Sequence, residues 1–303
     1  MGTPFISLLE PTLLNWDRSL PSSQQPASAS LPRTFLDAME VREQVYVTEQ
    51  GVPQENEFDL DDSRSCHWVI YASVNIKQHH HQQDNGLPEL NRSGRQRSET
   101  RTLPIGTIRL VPFPHPPHPR NGGVYADWKL TNAGAPVSKE GQRDPSAANG
   151  NGNDGETVAP LTANELERHA RPLFGRDQAT EFHDGAELYV KLGRLAVLKE
   201  FRGRGIAGQL VRAALGWAAQ HGNYFNPSVA ALGLDHLGGE MSGEVPMLKW
   251  RGLLCCHAQE DAVKFWEKAG FAVDKKMGRW LEDGIPHVGM FQRLTLEPSP
   301  PQI

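Results

Sequence analysis

The segment at residues 193–208, with the sequence GRLAVLKEFRGRGIAG, places the strongest constraint on how this chain can fold. It predicts an apolar strand, then a short charged turn, then a glycine-punctuated loop that begins a helix. The first N–H groups of a helix have no acceptor within it, and glycines let a ligand come close to the backbone. The segment therefore predicts a cradle for a pyrophosphate. It lacks the Gly-Lys-Ser/Thr ending of a P-loop and the pattern of a dinucleotide-binding turn.

Composition favours one compact core that carries poorly packed insertions. Only 38% of the 303 residues are hydrophobic, which is low for this length. We expect a single domain over residues 1–303, with low-complexity insertions at about 76–102 and 112–160. The first insertion contains the run His79-His80-His81, which has no cysteine or carboxylate partner and is expected to be incidental, so no metal is predicted.

Charge and hydropathy exclude several classes of partner. The net charge of -5 argues against nucleic acid, and no apolar run reaches the ~20 residues of a membrane span. The start of the chain has no secretory pattern, and Cys66, Cys255 and Cys256 do not form a disulfide framework. We therefore expect a cytoplasmic location, with a nuclear one left open, and no membrane partner.

Hydrophobic periodicity predicts an α/β chain, with its strands in one sheet and helices on both faces. Strands are predicted at 5–9, 67–74, 103–111, 187–198, 253–258, 271–276 and 285–294, and helices at 32–49, 161–173, 205–220 and 260–268. The alternation slips at Gly193-Arg194, which predicts a bulge, and Asp283-Gly284 predicts a hairpin turn.

The glycine loop has the sequence Arg202-Gly203-Arg204-Gly205-Ile206-Ala207 and fits the pattern Arg/Gln-x-x-Gly-x-Gly/Ala. It resembles motif A of the GNAT superfamily of acyl-CoA N-acyltransferases. Blocks at 47–67, 258–271 and 282–290 resemble the ElaA/YjcF-like branch of that superfamily, in the same order. Together the blocks span roughly half of the chain, and the two insertions have no counterpart.

The resemblance implies the GNAT fold, a mixed and mostly antiparallel α+β sheet that splays at its fourth strand. It also implies acetyl-CoA as co-substrate, with pantetheine in the splay. The implied contacts are Leu195, Ala196, Val197, Arg202, Gly203, Arg204, Gly205, Ile206, Ala207, Gly208, Gln259, Phe265 and Trp266. The N–H of Leu195 is the implied donor to the oxyanion of the thioester.

The resemblance also suggests proton-transfer residues. Trp266 aligns with the tyrosine that usually serves as general acid, and an indole supplies no proton at neutral pH. Tyr189 is a candidate substitute, and direct departure of the thiolate is the alternative. Glu187 is a candidate general base, or else a solvated glutamate at a strand end.

Four further residues are candidates for the acceptor side. Glu49 and Gln50 either line the acceptor site or cap a turn. His287 and Asp283 are assigned to substrate binding or proton relay, although Asp283 also suits a hairpin turn on its own.

The resemblance implies direct acetyl transfer, in a ternary complex, to a primary amine of a small molecule: an amino sugar, a polyamine or an alkyl amine. A protein lysine or N-terminal acetyltransferase and a non-catalytic CoA sensor are the alternatives. A homodimer is left open. Arg109 and Arg194 are expected to pair with Asp59, Asp61 or Asp62 and so stabilise the core.

Overall fold

The computed structural model describes residues 4–77, 98–127, 129–131, 177–226 and 249–297. The predicted helix at 161–173 and the run His79-His80-His81 lie outside this range. The strands are β1 (Phe5–Leu9), β2 (Cys66–Lys77), β3 (Ser98–Val111), β4 (Val124–Ala126), β5 (Lys129–Leu130), β6 (Val190–Val197), β7 (Leu253–Gln259), β8 (Ala272–Val273), β9 (Arg279–Glu282) and β10 (Ile285–Arg293). The α-helices are α1 (Arg33–Arg42), α2 (Gln54–Glu57), α3 (Ile206–Gln220) and α4 (Val263–Lys268).

The strands form one open mixed sheet. Their order is β1-β2-β3-β6-β7-β10-β9-β4-β5, and β8 pairs with β10. Most neighbours are antiparallel, while β6–β7 and β4–β9 are parallel. The predicted fold class, mixed and mostly antiparallel, is confirmed.

Helices pack on both faces of the sheet, so β2 and β3 are buried on both sides. Ala38 of α1 clusters with Val69 and Tyr71 of β2. Leu210 of α3 clusters with Ile70, whose side chain points to the opposite face. The spacing of the buried residues in α3 (Ile206, Leu210, Val211, Ala214 and Ala218) is that of a helix with one buried stripe.

The chain after α1 continues as a π-helix over Glu43–Glu49. The carbonyl of Val45 accepts a hydrogen bond from the N–H of Gln50 at 3.1 Å, five residues on. The predicted helix at 32–49 is therefore present, with a wider last turn. This turn carries Tyr46 and Gln50 towards β6 and β7.

The bulge predicted at Gly193-Arg194 is present. Opposite β6, Thr107 pairs with Ala196 and Arg109 pairs with Gly193, so two residues of β6 face one residue of β3. Arg194 has a φ of 50°, in the left-handed region.

Three local predictions need correction. The strand predicted at 271–276 is only the two residues of β8, and β9 was missed. Neither predicted insertion is wholly irregular: residues 76–77 and 98–102 belong to β2 and β3, and 112–160 contains β4 and β5. The hairpin turn at Asp283-Gly284 is confirmed, because Glu282 pairs with Ile285 and both turn residues have positive φ.

None of the helices in the described part of the chain is long and apolar enough to cross a membrane.

Candidate functional site

The sheet opens between β6 and β7. These parallel strands pair from Val190 opposite Leu254 to Leu192 opposite Cys256, and in the described structure their pairing ends there. β7 continues to Gln259, where it pairs with His287 of β10. The backbone of β6 beyond Leu192 therefore faces a gap instead of a neighbouring strand. A ligand with amide groups can hydrogen-bond to such a backbone edge.

A cavity of about 260 Å³ occupies this gap. It brings together nine of the predicted site residues: Gln50, Leu195, Ala196, Val197, Arg202, Gln259, Trp266, Asp283 and His287. The rest of the lining adds residues that the sequence analysis did not single out, chiefly Tyr46, Lys191, His257 and Glu282.

The glycine loop lies between the end of β6 and the start of α3. Gly203 and Gly205 have φ of 74° and 76°, and a Cβ at either position would have no atom within 4 Å. Gly205 is the residue that precedes α3, and no side chain caps this helix start in the described structure. The start of α3 is therefore uncapped and lies beside open space, which suits a pyrophosphate. The side chain of Ile206 is buried in the core, so its backbone alone can serve a ligand.

Arg202 links the loop to the π-helix. Its Nε donates to the carbonyl of Val197 at 2.9 Å, and its two terminal nitrogens lie 2.5 and 2.7 Å from the carboxylate oxygens of Glu49. The hydrogen bonds from Arg202 outweigh the effect of burial and hold the pKa of Glu49 below its ordinary value. The sequence analysis assigned Arg202 to the cofactor and Glu49 to the acceptor or a turn, but in the structure the charges of these two side chains neutralise each other.

Two amide side chains join the π-helix to β7. Gln259 Nε2 donates to Gln50 Oε1 at 3.0 Å, and Gln50 Nε2 donates back at 3.3 Å. Trp266, four per cent exposed, packs against Phe271 and forms part of the cavity wall. Phe265 packs at the edge of the core and is not among the residues that line the cavity.

Tyr46 is a site residue that sequence reasoning missed. Its hydroxyl donates to the carbonyl of Leu195 at 2.9 Å, directly beyond the bulge in β6. Burial, together with the nearby Glu57, raises the pKa of Tyr46 above its ordinary value. Tyr46 is therefore a protonated donor that holds the bulge in place.

A buried polar cluster lies on the β10 side of the cavity. Lys191 Nζ and Glu282 Oε1 lie 3.0 and 2.9 Å from His257 Nδ1. Glu282 also accepts a hydrogen bond from Trp280 Nε1 at 2.7 Å. Burial and the charge of Lys191 lower the pKa of His257 to about 4. Burial acts to raise the pKa of Glu282, but His257, His287 and Lys191 outweigh it and hold this pKa well below its ordinary range.

His287 has one ring nitrogen fixed and the other available. Its Nδ1 lies 2.8 Å from the carbonyl oxygen of Ile285, and a carbonyl can only accept, so Nδ1 carries the proton. In the neutral ring Nε2 is then the basic nitrogen. It lies 3.9 Å from Glu282 Oε2, which is near enough to stabilise a positive charge on the ring.

A buried ion-pair network borders the cavity. It consists of Arg42, Arg109, Arg194, Glu57, Asp59 and Asp62. Asp62 lies 2.7 Å from Arg42 and 2.8 Å from Arg109. Burial acts to raise the pKa of Asp62, but these two arginines outweigh it and hold the pKa well below its ordinary value.

The structure thus shows the expected pairing of Arg109 and Arg194 with Asp59, and of Arg109 with Asp62. Asp61 pairs with Arg64 instead. Because Arg194 has left-handed backbone angles, its ion pairs with Glu57 and Asp59 help to hold the strained residue of the bulge.

The structure places Glu187 and Tyr189 away from the cavity. The carboxylate of Glu187 pairs with Arg293 at 2.7 Å and with Arg251 at 3.4 Å. Tyr189 is buried against the ring of His115, and burial raises its pKa well above the ordinary value. Both precede β6, whereas the gap opens at the other end of that strand. Neither can reach a group bound in the gap.

Asp283 lines the cavity as the first residue of the hairpin turn. Its carboxylate accepts a hydrogen bond from Asn56 Nδ2 at 3.1 Å. This contact ties the turn to α2 across the cavity. Asp283 therefore lies both in the turn and at the cavity wall.

Comparison with known proteins identifies the segment that carries the gap and the glycine loop. Residues 171–273 match the sequence model of the acetyltransferase (GNAT) domain. The matched range includes β6, α3, β7 and α4. A search among curated proteins gave no match.

Solved structures similar to this chain have low identity. Escherichia coli ElaA is 14% identical, covers 96% of this chain and 100% of its own, and has a TM-score of 0.39. An acyl-CoA N-acyltransferase from Pseudomonas aeruginosa is 14% identical, with coverages of 96% and 99% and a TM-score of 0.38. Arabidopsis thaliana NAA60, solved with a bisubstrate analogue, is 12% identical, with coverages of 97% and 100% and a TM-score of 0.35. All three TM-scores are below 0.5, so the assignment depends on the sequence match. That match makes residues 171–273, about a third of the chain, similar to the acetyltransferase (GNAT) domain.

Proposed function

We propose that this chain transfers the acetyl group of acetyl-CoA directly to a primary amine of a small molecule, within a ternary complex. The observation that carries the proposal is the separation of β6 from β7 beyond Leu192 and Cys256, directly before the glycine loop. Pantetheine would lie along the open edge of β6, and the pyrophosphate would lie at the start of α3. The backbone N–H of Leu195, at the bulge, would donate to the oxyanion of the tetrahedral intermediate.

His287 is the proposed general base. A primary ammonium has a pKa near ~10 and must lose a proton before it attacks the thioester. The Nε2 of His287 accepts that proton, directly or through a water, and Glu282 stabilises the imidazolium that results. The carbonyl of Ile285 keeps the ring in the required tautomer. This assignment replaces Glu187 as the candidate base.

The CoA thiolate would leave without a general acid from Trp266. A thiol has a pKa of about 8.5, so a thiolate is a tolerable leaving group near neutral pH. Tyr46 is the phenol that the structure places at the bulge, but its raised pKa makes it a poor proton donor. We assign Tyr46 to positioning Leu195.

The cavity favours a small acceptor. Its volume of about 260 Å³ would also hold the pantetheine end of the cofactor, which leaves room only for a small acceptor. Carboxylates of Asp61, Glu282 and Asp283 line it and suit an arriving ammonium group. The hydrogen bond from Asn56 to Asp283 and the Gln50–Gln259 pair connect its walls.

An amine panel tests this function. The full chain is assayed for CoA release with acetyl-CoA and polyamines, amino sugars, simple alkyl amines and lysine-containing peptides. We expect turnover with at least one small amine. Activity on peptides alone would reassign the acceptor to protein. Tight acetyl-CoA binding with no turnover on any amine would favour a CoA sensor, the alternative that the buried Trp266 supports.

A further inference from the structure

Three side chains of the types that ligate metals lie close together outside the cavity used in the proposed chemistry. The ligating atoms of His118, Asp177 and His183 all lie within 4.8 Å of one another. His118 and His183 are buried, and Asp177 is partly buried. None of the three lines the cavity between β6 and β7.

The distances between these atoms are close to those of a tetrahedral zinc site. Zinc binds imidazole nitrogen and carboxylate oxygen at about 2.0–2.2 Å, which puts neighbouring ligand atoms about 3.3 Å apart. His118 Nε2 lies 2.9 Å from His183 Nδ1 and 3.6 Å from Asp177 Oδ2. These two distances bracket the tetrahedral value, and all three ligand atoms lie within 4.8 Å of one another.

Hydrogen bonds to the backbone orient two of the three side chains, His183 and Asp177. His183 Nε2 lies 2.8 Å from the carbonyl oxygen of Glu187, so Nε2 carries the proton and the lone pair is on Nδ1, the atom that faces His118. Metal-bound histidines are usually held in this way. The Oδ2 of Asp177 accepts a hydrogen bond from the backbone N–H of His118 at 2.9 Å.

Aromatic packing fixes the two rings. The ring of Tyr189 stacks on His118 at 5.3 Å between centroids and meets His183 edge-on at 5.1 Å. Phe291 meets His118 edge-on at 5.7 Å. The histidine rings therefore have little freedom to turn away, and an ion would bind to prearranged ligands. This packing also gives Tyr189 a role that is separate from catalysis.

We propose that His118, Asp177 and His183 bind one zinc ion, with water as the fourth ligand. Two imidazoles, one carboxylate and a water are a donor set that zinc uses in proteins. The ion would join His118, which precedes β4, to Asp177 and His183, which precede β6. Metal binding of this kind stabilises the folded chain because the unfolded chain has no preformed site. This proposal departs from the sequence-based expectation of no metal.

Zinc binding is measured on the full chain by isothermal titration calorimetry after removal of metal by a chelator. The background protein carries His79→Ala, His80→Ala and His81→Ala, so that the histidine run does not contribute. We expect one Zn²⁺ per chain, with affinity at least tenfold weaker in His118→Ala and in His183→Ala. The matched control is His221→Ala, an exposed histidine near Trp217, which should bind zinc as the background protein does.

Asp177→Asn provides a nearly isosteric variant in case a histidine variant fails to fold. Zn²⁺ should raise the thermal midpoint of the background protein and of His221→Ala, but raise that of Asp177→Asn much less. The visible absorption of bound Co²⁺ would report tetrahedral coordination independently of stability. The proposal is overturned if the background protein binds no zinc, or if the His118 and Asp177 variants bind zinc as tightly as it does.

Discussion

His287 is the residue on which the proposed chemistry depends most directly. Its Nδ1 is occupied by the carbonyl of Ile285, and its Nε2 lies beside the ionised Glu282 at the cavity. The sequence block Glu-Asp-Gly-Ile-Pro-His drew attention to His287. It did not reveal that Glu282, rather than Asp283, is its neighbouring carboxylate. In a two-residue hairpin turn, Glu282 and Asp283 point in different directions, and periodicity alone does not predict which one faces the ring.

Replacing His287 should impair catalysis and spare cofactor binding. His287→Gln is expected to lower kcat by roughly 10²–10⁴-fold, the usual contribution of a general base. The Kd for acetyl-CoA should stay within about twofold, since Nε2 serves the amine. Steady-state CoA release and calorimetry measure the two effects, with His221→Gln as the control. A kcat within about threefold of the unmodified chain would remove His287 from the base role.

Glu49 is expected to compete with the cofactor for Arg202. Glu49→Gln removes a partly exposed ion pair whose contribution is about 0.2–1 kcal/mol. Arg202 then becomes available to the pyrophosphate, and the Kd for CoA should fall by up to about fivefold. The effect should disappear when Arg202→Gln is already present. If Glu49→Gln weakens CoA binding instead, Glu49 serves the ligand directly, as an acceptor-site residue would.

At the scale of elements, the sequence predicted the parts whose signals are local. The bulge at Gly193-Arg194 follows from a slip in the strand alternation, and the turn at Asp283-Gly284 follows from its residue types. The two-residue strand β8 and the missed β9 depend on pairing with β10, which is set by the tertiary structure. Tyr46 was missed for a similar reason. The π-helical turn, not the amphipathic pattern, directs its hydroxyl to Leu195, which lies 149 positions further along the chain.

Gly205 marks the start of α3, where the phosphate cradle requires a left-handed backbone. Gly205→Ala should cost roughly 1 kcal/mol of stability because φ is 76° there. It should also weaken CoA binding, because its Cβ would enter the open space in front of the first N–H groups. Urea unfolding and calorimetry measure the two effects.

The control is Gly216→Ala, in an exposed position inside α3, where a Cβ meets no atom within 4 Å. This change should raise stability by about 0.5–1 kcal/mol and leave CoA binding unaltered. Equal effects of the two substitutions on CoA binding would contradict the assignment of the cradle to the N-terminus of α3.

At the scale of the whole molecule, buried histidines make stability depend on pH. Burial, opposed only in part by Asp62, lowers the pKa of His67 to about 4, and the pKa of His257 is lowered similarly. In the unfolded chain these groups titrate near 6.5. Between pH 6.5 and pH 4 the unfolded chain therefore binds more protons than the folded chain, and stability falls as the pH falls.

The free energy of unfolding should decrease from pH 7 to pH 5, with each such histidine contributing about 1.4 kcal/mol per pH unit at most. Below about pH 4 the loss should continue, because Asp59 and Asp62 have lowered pKa values in the folded chain and their stabilisation is lost as they gain protons. Urea unfolding followed by tryptophan fluorescence at several pH values provides the measurement. His67→Gln should reduce the slope between pH 6.5 and pH 5. A free energy of unfolding that is constant over this range would contradict the assignment of neutral buried histidines.

Titration of the full chain with acetyl-CoA in a calorimeter, with ATP and NAD as competitors, tests most directly whether the gap binds acyl-CoA. The gap between β6 and β7, followed by the glycine loop, predicts binding of one acetyl-CoA per chain with a Kd between about 1 µM and 1 mM. Binding should weaken in Gly205→Ala and persist in His287→Gln. Absence of binding up to millimolar acetyl-CoA, or displacement by ATP or NAD as readily as by CoA, would show that this gap is not an acyl-CoA site.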